Sequence, residues 1–169
     1  MRAVQPDPTR PVRPPEAGLA RRVSVEVERT VDAPMEAVWA VLRDYRAARP
    51  RILTEHFMGY VVQRRGEGAE TVVEYRLRIG RRERRYELTV EEPTPGRQLR
   101  ERDRDSGLVT TWTLTPGGDG ELTVVRLVAQ LRDPDVSGWL ARLWARRALR
   151  RVHGQLLERL DTYLAESGR

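Results

Sequence analysis

The chain has 169 residues, 39% of them hydrophobic, and a formal net charge of +6, which fits one globular domain large enough to bury a core without covalent staples. It has no cysteine, and its two histidines, His56 and His153, are far apart; disulfides, thiolate sites and cysteine nucleophiles are excluded, and neither a metal nor another cofactor is implied. With no apolar run of about 18 residues and no signal-peptide pattern the expected setting is cytoplasmic, and with no recognition helix, zinc-finger spacing or aromatic-interleaved basic patch no specific nucleic-acid partner is expected.

Residues 1–21 include five of the eleven prolines and almost no large apolar residue. Such a segment cannot offset its ordering entropy by burial and is expected to be a disordered tail, with a proline-rich docking arm as the other reading. Residues 1–22 hold five arginines against Asp7 and Glu16, a net +3, which leaves +3 for the rest of the chain. The folded domain is expected over 22–166. It opens with Val23, Val25, Val27 and Val31 alternating with Ser24, Glu26 and Glu28, the period of a half-buried strand.

The stretch TVDAPMEAVWAVLRDY then changes period: Met35, Val38, Trp39, Leu42 and Tyr45 follow the spacing of one helical face. Pro34 suits the first turn, and Asp32 or Ala33 can serve as the cap. A second short helix, broken at Pro50, is expected in RAARPRILTEHF. Strand-like runs follow at 57–65, 70–79, 83–92, 97–104, 108–115 and 121–131, separated by short glycine-containing turns, the pattern of an antiparallel meander. One long helix, about 137 to 165, closes the chain before Ser167-Gly168. A shorter helix beginning near Arg146, after a separately packed turn, is the alternative.

This order, with VDAPMEAVWAVLRDY at the first strand-to-helix junction and LVAQLRDPDVSGWLARLWARRALRRVHGQLLERLDTYL at the end, resembles the START-like helix-grip superfamily (SRPBCC), in particular its polyketide cyclase/dehydrase-like branch. The resemblance spans roughly residues 22–165. It implies an α+β fold in which a curved antiparallel sheet wraps a long C-terminal helix and a cavity opens between them. It also implies a small hydrophobic partner, such as a lipid, a quinone or a polyketide-like molecule.

Turn lengths and strand alternation predict which side chains share the inner face. Two-residue turns at Gly80-Arg81 and Ser106-Gly107 place Leu77 opposite Arg84, Tyr75 opposite Tyr86 and Thr110 opposite Asp103. Even-length turns near Glu67-Gly68 and at 117–120 place Tyr60 opposite Tyr75 and Leu127 opposite Thr110. The predicted face runs through Met58, Tyr60, Val62, Val73, Tyr75, Leu77, Arg84, Tyr86, Leu88, Val90, Leu99, Glu101, Asp103, Thr110, Trp112, Leu114, Val125, Leu127 and Ala129. Three of the five tyrosines stand in a row on it. Buried hydroxyls and charges need partners. Either the tyrosines are ordinary strand formers and Arg84 pairs with Asp103, or these groups line an amphipathic pocket.

On the last helix Leu149, Val152, Leu156, Leu160 and Tyr163 form one stripe, continued by the small residues Ala148, Ala145, Ala141 and Gly138, whose size leaves space above the sheet. The expected ligand-binding set is Tyr60, Tyr75, Leu77, Arg84, Tyr86, Leu88, Glu101, Asp103, Thr110, Trp112, Ala145 and Leu149. Leu140, Leu143 and Trp144 fall on the far side beside arginines, a surface for a membrane or a protein partner. Two functions fit. A carrier of a small hydrophobic molecule needs no activated residue. An aromatase/cyclase or dehydratase would draw on tyrosine or Arg84 to polarise a carbonyl and on His56, Glu101 or Asp103 as a base. His56 in a loop and His153 at the stripe's edge read more simply as structural residues.

Overall fold

The computed structural model describes residues 22–132 and 139–168. The expected tail at 1–21 and Gly138 lie outside them, and so do the side chains of Leu140 and Ala141. Chain order is β1 (Arg22–Val31), α1 (Met35–Arg43), α2 (Ala48–Ile52), β2 (Phe57–Arg64), β3 (Val72–Ile79), β4 (Arg82–Thr94), β5 (Gln98–Asp103), β6 (Val109–Gly117), β7 (Leu122–Arg132) and α3 (Trp139–Ser167). The strands form one antiparallel sheet of seven in the order β1-β7-β6-β5-β4-β3-β2. This is the α+β helix-grip arrangement that the resemblance implies. The long helix is continuous from Trp139, so the reading that starts it near Arg146 does not hold.

Helix α1 buries Val38, Val41 and Leu42 and half-buries Trp39. Its N-cap is Pro34, not Asp32 or Ala33, and the Pro34 carbonyl accepts from Ala37 N–H and Val38 N–H. Pro50 does not break α2. It is the third residue of that helix, where an N–H has no intrahelical acceptor anyway.

Strand alternation delivers the inner face almost as the turns predict. Tyr75 pairs with Tyr86 and Leu77 with Arg84 across the Gly80-Arg81 turn, and Gly80 takes the left-handed φ of +61° that this turn needs. Two pairings differ. Thr110 stands opposite Glu101 and Ala129, not Asp103 and Leu127. The β5–β6 connection is Arg104–Gly107, longer than the two residues expected, because Asp103 N–H still bonds the Leu108 carbonyl. Each shift is by two residues, so every side chain keeps its face.

Strand β2 does contain an error of phase. Its register slips between Met58 and Val61, with Gly59 at φ +61°, a bulge that places one extra residue on this strand. Phe57 therefore pairs with inward Leu77, and Met58 pairs with outward Arg76. Phe57, Tyr60 and Val62 pack on the core; Met58 leaves the inner face.

Asp103 is a turn-former. Its Oδ1 accepts from Glu87 N–H at 2.8 Å and its Oδ2 from Ser106 N–H at 2.6 Å, while Ser106 Oγ accepts from Leu108 N–H. Replacing Asp103 by Ala is expected to lower unfolding free energy by about 1–3 kcal/mol, because two amides lose their acceptor at a buried turn. Urea denaturation measures it.

Candidate functional site

Between the sheet, α2 and α3 a cavity of about 30 Å³ is lined by Tyr45, Arg49, Leu53, Phe57, Tyr60, Val73, Tyr75, Leu88, Glu101, Thr110, Trp112, His153 and Leu156. That volume accepts about one or two waters. This cavity meets α3 at His153 and Leu156; the space expected beneath Gly138 and Ala141 falls outside the described side chains.

What distinguishes the cavity from plain core is Arg49, which is 3% exposed. The corner before α2 delivers it there. Asp44 Oδ1 accepts from Arg46 N–H and Ala47 N–H, and Oδ2 from Ala48 N–H, fixing the first turn of α2. Burial raises the Asp44 pKa, and the three amides outweigh it, leaving it below the usual value. The same corner is tied to the β2–β3 loop by Tyr45 N–H to the Gly66 carbonyl, Gly68 N–H to the Arg43 carbonyl, and Arg46 Nε–H to the Arg65 carbonyl. One face of α2 then buries Ala48, Arg49 and Ile52.

Glu101 on β5 is the counter-charge. It accepts from Arg49 Nη2–H, from Tyr45 O–H at 2.8 Å and from Trp112 Nε1–H at 3.2 Å. The guanidinium stacks 4.3 Å from the Trp112 ring centroid and 5.4 Å from that of Tyr45, an attraction added to the ion pair. Burial alone would make Arg49 easier to deprotonate, but adjacent Glu101 reverses this and raises its pKa. One group is left over: Arg49 Nη1 is buried with no hydrogen-bond partner.

The remaining polar groups have restricted roles. Tyr45 and Tyr75 are raised well above the ordinary phenol pKa by burial and then by Glu101, and Tyr60 is raised mainly by burial. They stay protonated and can donate hydrogen bonds, but cannot serve as phenolate bases at neutral pH. Tyr60 donates to the Tyr45 carbonyl at 3.0 Å. His153 Nδ1 lies 2.8 Å from the Leu149 carbonyl. A carbonyl can only accept, so Nδ1 carries the proton and Nε2 is the acceptor. Burial lowers the His153 pKa, keeping the ring neutral at pH 7.

Of the residues expected from the sequence, Tyr60, Tyr75, Leu88, Glu101, Thr110 and Trp112 line this cavity; Leu77, Arg84, Tyr86, Asp103, Ala145 and Leu149 do not. Leu77, Tyr86 and Leu149 are buried in the surrounding core. Arg84 lies over the Tyr86 ring, 5.7 Å from its centroid. The row of rings is Phe57–Tyr75–Tyr86, with centroid distances of 5.1 and 5.9 Å. His56 sits outside the cavity, with Nδ1 3.0 Å from the Arg78 carbonyl. Glu101 has both oxygens engaged, as counter-ion to Arg49 and acceptor for Tyr45 and Trp112.

Arg49, Tyr45, Phe57 and His153 were not assigned to the site from the sequence. Ala48 and Ile52, four apart on α2, mark the buried stripe that also carries Arg49, and the mid-strand glycine at 59 signals the bulge that turns Phe57 inward. A wider groove of about 690 Å³ lies across the sheet, lined by Thr89, Arg100, Arg102, Arg104, Val109, Thr111 and Gln130 among others. Arg100 and Arg102 there are shared with Glu91 at 3.6 and 3.4 Å. It is an open, arginine-rich outer surface.

A sheet gripping one long helix over a polar-centred cavity defines the START-like class. Residues 22–165 match the family described as polyketide cyclase / dehydrase and lipid transport, and the chain belongs to it. The KanY protein (ms6282) is 31% identical, with a TM-score of 0.75, covering 86% of this chain and 99% of its own. A START superfamily protein from Mycobacterium smegmatis, at 14% identity and TM-score 0.68, covers 85% of this chain and 97% of its own. The Zhui aromatase/cyclase from Streptomyces sp. R1128, at 22% identity and TM-score 0.60, covers 88% and 95%; these last two likenesses speak to fold alone. None of the curated proteins matches the chain.

Arg49→Met is expected to lose about 3–5 kcal/mol by stranding Glu101, and Arg49→Met/Glu101→Gln to regain most of it; urea melts of the two variants test this. His153 makes a separate, pH-dependent contribution. Its folded pKa lies below the unfolded value, so folding opposes protonation, and stability falls as pH drops through about 6.5. His153→Gln is expected to flatten that slope between about pH 7 and 5.

Proposed function

We propose that the chain binds a small hydrophobic molecule bearing a carbonyl or similar neutral oxygen, seated with that oxygen on Arg49. The orphaned Nη1 donor carries this reading. A buried donor without an acceptor is costly, by about 1–3 kcal/mol or more for a charged group, so an acceptor entering there gains that amount. Arg49 and Glu101 already cancel, so a neutral oxygen fits better than a second carboxylate, which would add an unbalanced charge to the core. Phe57, Tyr75, Leu88, Trp112 and Leu156 supply the apolar walls for a lipid-, quinone- or polyketide-like body.

The cavity's 30 Å³ does not accommodate such a body, so binding requires side chains and α2 at its margin to give way. A second reading, an aromatase/cyclase, rests on His153. His153, whose Nδ1 is occupied by the Leu149 carbonyl, and Arg49 line one cavity, and an Nε2 acceptor beside the Arg49 donor is the pairing needed to remove a proton beside a polarised carbonyl.

Calorimetric titration with an aromatic ketone and its deoxygenated hydrocarbon separates oxygen recognition from general greasiness. Wild type is expected to prefer the ketone by at least about tenfold, the worth of a hydrogen bond to a charged donor. Arg49→Met/Glu101→Gln should abolish the preference. Equal affinities in wild type, or a preference that survives in the double variant, would sink the reading. The cyclase reading requires turnover of a poly-ketone chain that His153→Gln removes while ketone affinity persists.

A further inference from the structure

The outward side of α3 has a composition that the cavity does not explain. At about 100° per residue, Trp144, Arg147 and Arg151 stand opposite the buried stripe of Leu149, Val152, Leu156 and Leu160, with Leu143 and Arg150 on the flank. Leu143 is 49% exposed and Trp144 57%. Trp144 reaches the β3–β4 hairpin: its ring edge would lie 3.3 Å from a Cβ placed on Gly80. Gly80 is flanked by the exposed arginines Arg78, Arg81 and Arg82. An exposed aromatic–aliphatic pair is thereby set among arginines from two elements, Arg146, Arg147, Arg150 and Arg151 of the helix and Arg81 and Arg82 of the hairpin, all exposed.

Several exposed arginines of the sheet behave differently. Arg76 pairs with Glu83, Arg85 with Glu74, and Arg126 with Glu26, each a solvated cross-strand couple. Among the described residues none of the six arginines around Trp144 closes an ion pair. Glu55, on the neighbouring loop, already lies 3.6 Å from Arg159. Among the described residues the surface carries no compensating acid, and its apolar centre is too exposed to be core.

We infer that this surface docks the protein on an anionic lipid bilayer, with Trp144 and Leu143 entering the interface and the arginines lying against the headgroups. A bilayer matches it better than a folded acidic protein. The arginines are spread over two elements without a fixed geometry to be answered one by one, as a plane of mobile anionic headgroups allows. Tryptophan at the centre of such a ring sits at the depth that indole prefers. The surface is separate from the Arg49 cavity and does not depend on what that cavity holds.

Sedimentation of the full chain with phosphatidylcholine vesicles, with and without phosphatidylserine, tests it. Binding is expected only to the anionic vesicles and should weaken steeply with added salt. Arg147→Glu/Arg150→Glu/Arg151→Glu should reduce it by more than about a hundredfold, since each arginine near an anionic surface contributes about 1 kcal/mol. Leu143→Ser/Trp144→Ser should reduce it by about tenfold without changing net charge. The control is Arg85→Glu/Arg102→Glu/Arg126→Glu, which removes the same charge from the outer sheet and should change binding by less than about threefold. Circular dichroism confirms that each variant folds. Equal binding to neutral vesicles, equal loss in the control triple, no vesicle binding, or retention by an acidic carrier protein in place of vesicles would each overturn the inference.

Discussion

A guanidinium enclosed by a sheet and a helix is tolerable only when nearly everything around it is arranged to hold it. Arg49 is held by a carboxylate, and that carboxylate is held in turn by a phenol and an indole. The indole also provides the ring on which the guanidinium stacks. Each neighbour is a residue whose polar end would be a liability in an ordinary core. Tyr45, Glu101 and Trp112 come from a corner and two strands, and only the closed fold brings them to Arg49. The network therefore ties α2 to the sheet, and α2 walls the cavity. Charge and architecture are coupled here: loosen the corner at Asp44 and the charge loses its place; remove the guanidinium alone and Glu101 is left buried without its counter-charge.

The fold was legible in the sequence because its signals are local. Alternation in β3 to β7 and glycines at the turns set the face of nearly every strand residue, and errors in turn length came in steps of two, which leave the face intact. The long C-terminal helix was equally clear from its stripe. Where local reasoning failed, a single residue had changed the period. Gly59 inserts a bulge, and strict alternation carried past it puts Met58 where Phe57 belongs. Tyr45 continues the spacing of α1 yet lies beyond the helix's last residue; its place opposite Glu101 comes from the corner.

The site was only half legible, for a physical reason. Strand residues announce their side of a sheet, so Tyr60, Tyr75, Glu101, Thr110 and Trp112 were placed among the inner residues. The helix residue that gives them a common purpose lies in a five-residue element, too short for a periodicity to be seen, and an arginine reads as surface by default. The volume of this cavity is governed by the aromatic rings of β2, β3 and β6 and by the α1–α2 corner, none of which the small side chains of α3 report on. The family to which the chain belongs fixes the architecture; the Arg49–Glu101–Trp112 arrangement is where this chain's own chemistry has to be sought.

The bulge at Gly59 has a bearing on solubility. Among the described residues β2 is an outermost strand, with β3 on one side and no strand on the other, so it presents backbone groups that a foreign strand could pair with. Its register slips twice, once at Gly59 and again between Val62 and Arg64. A strand broken in this way offers no unbroken, evenly spaced run of amides, and its added twist turns the rim away from a flat partner. The same glycine that sends Phe57 inward to the cavity thus guards the sheet against growing by a strand from another molecule.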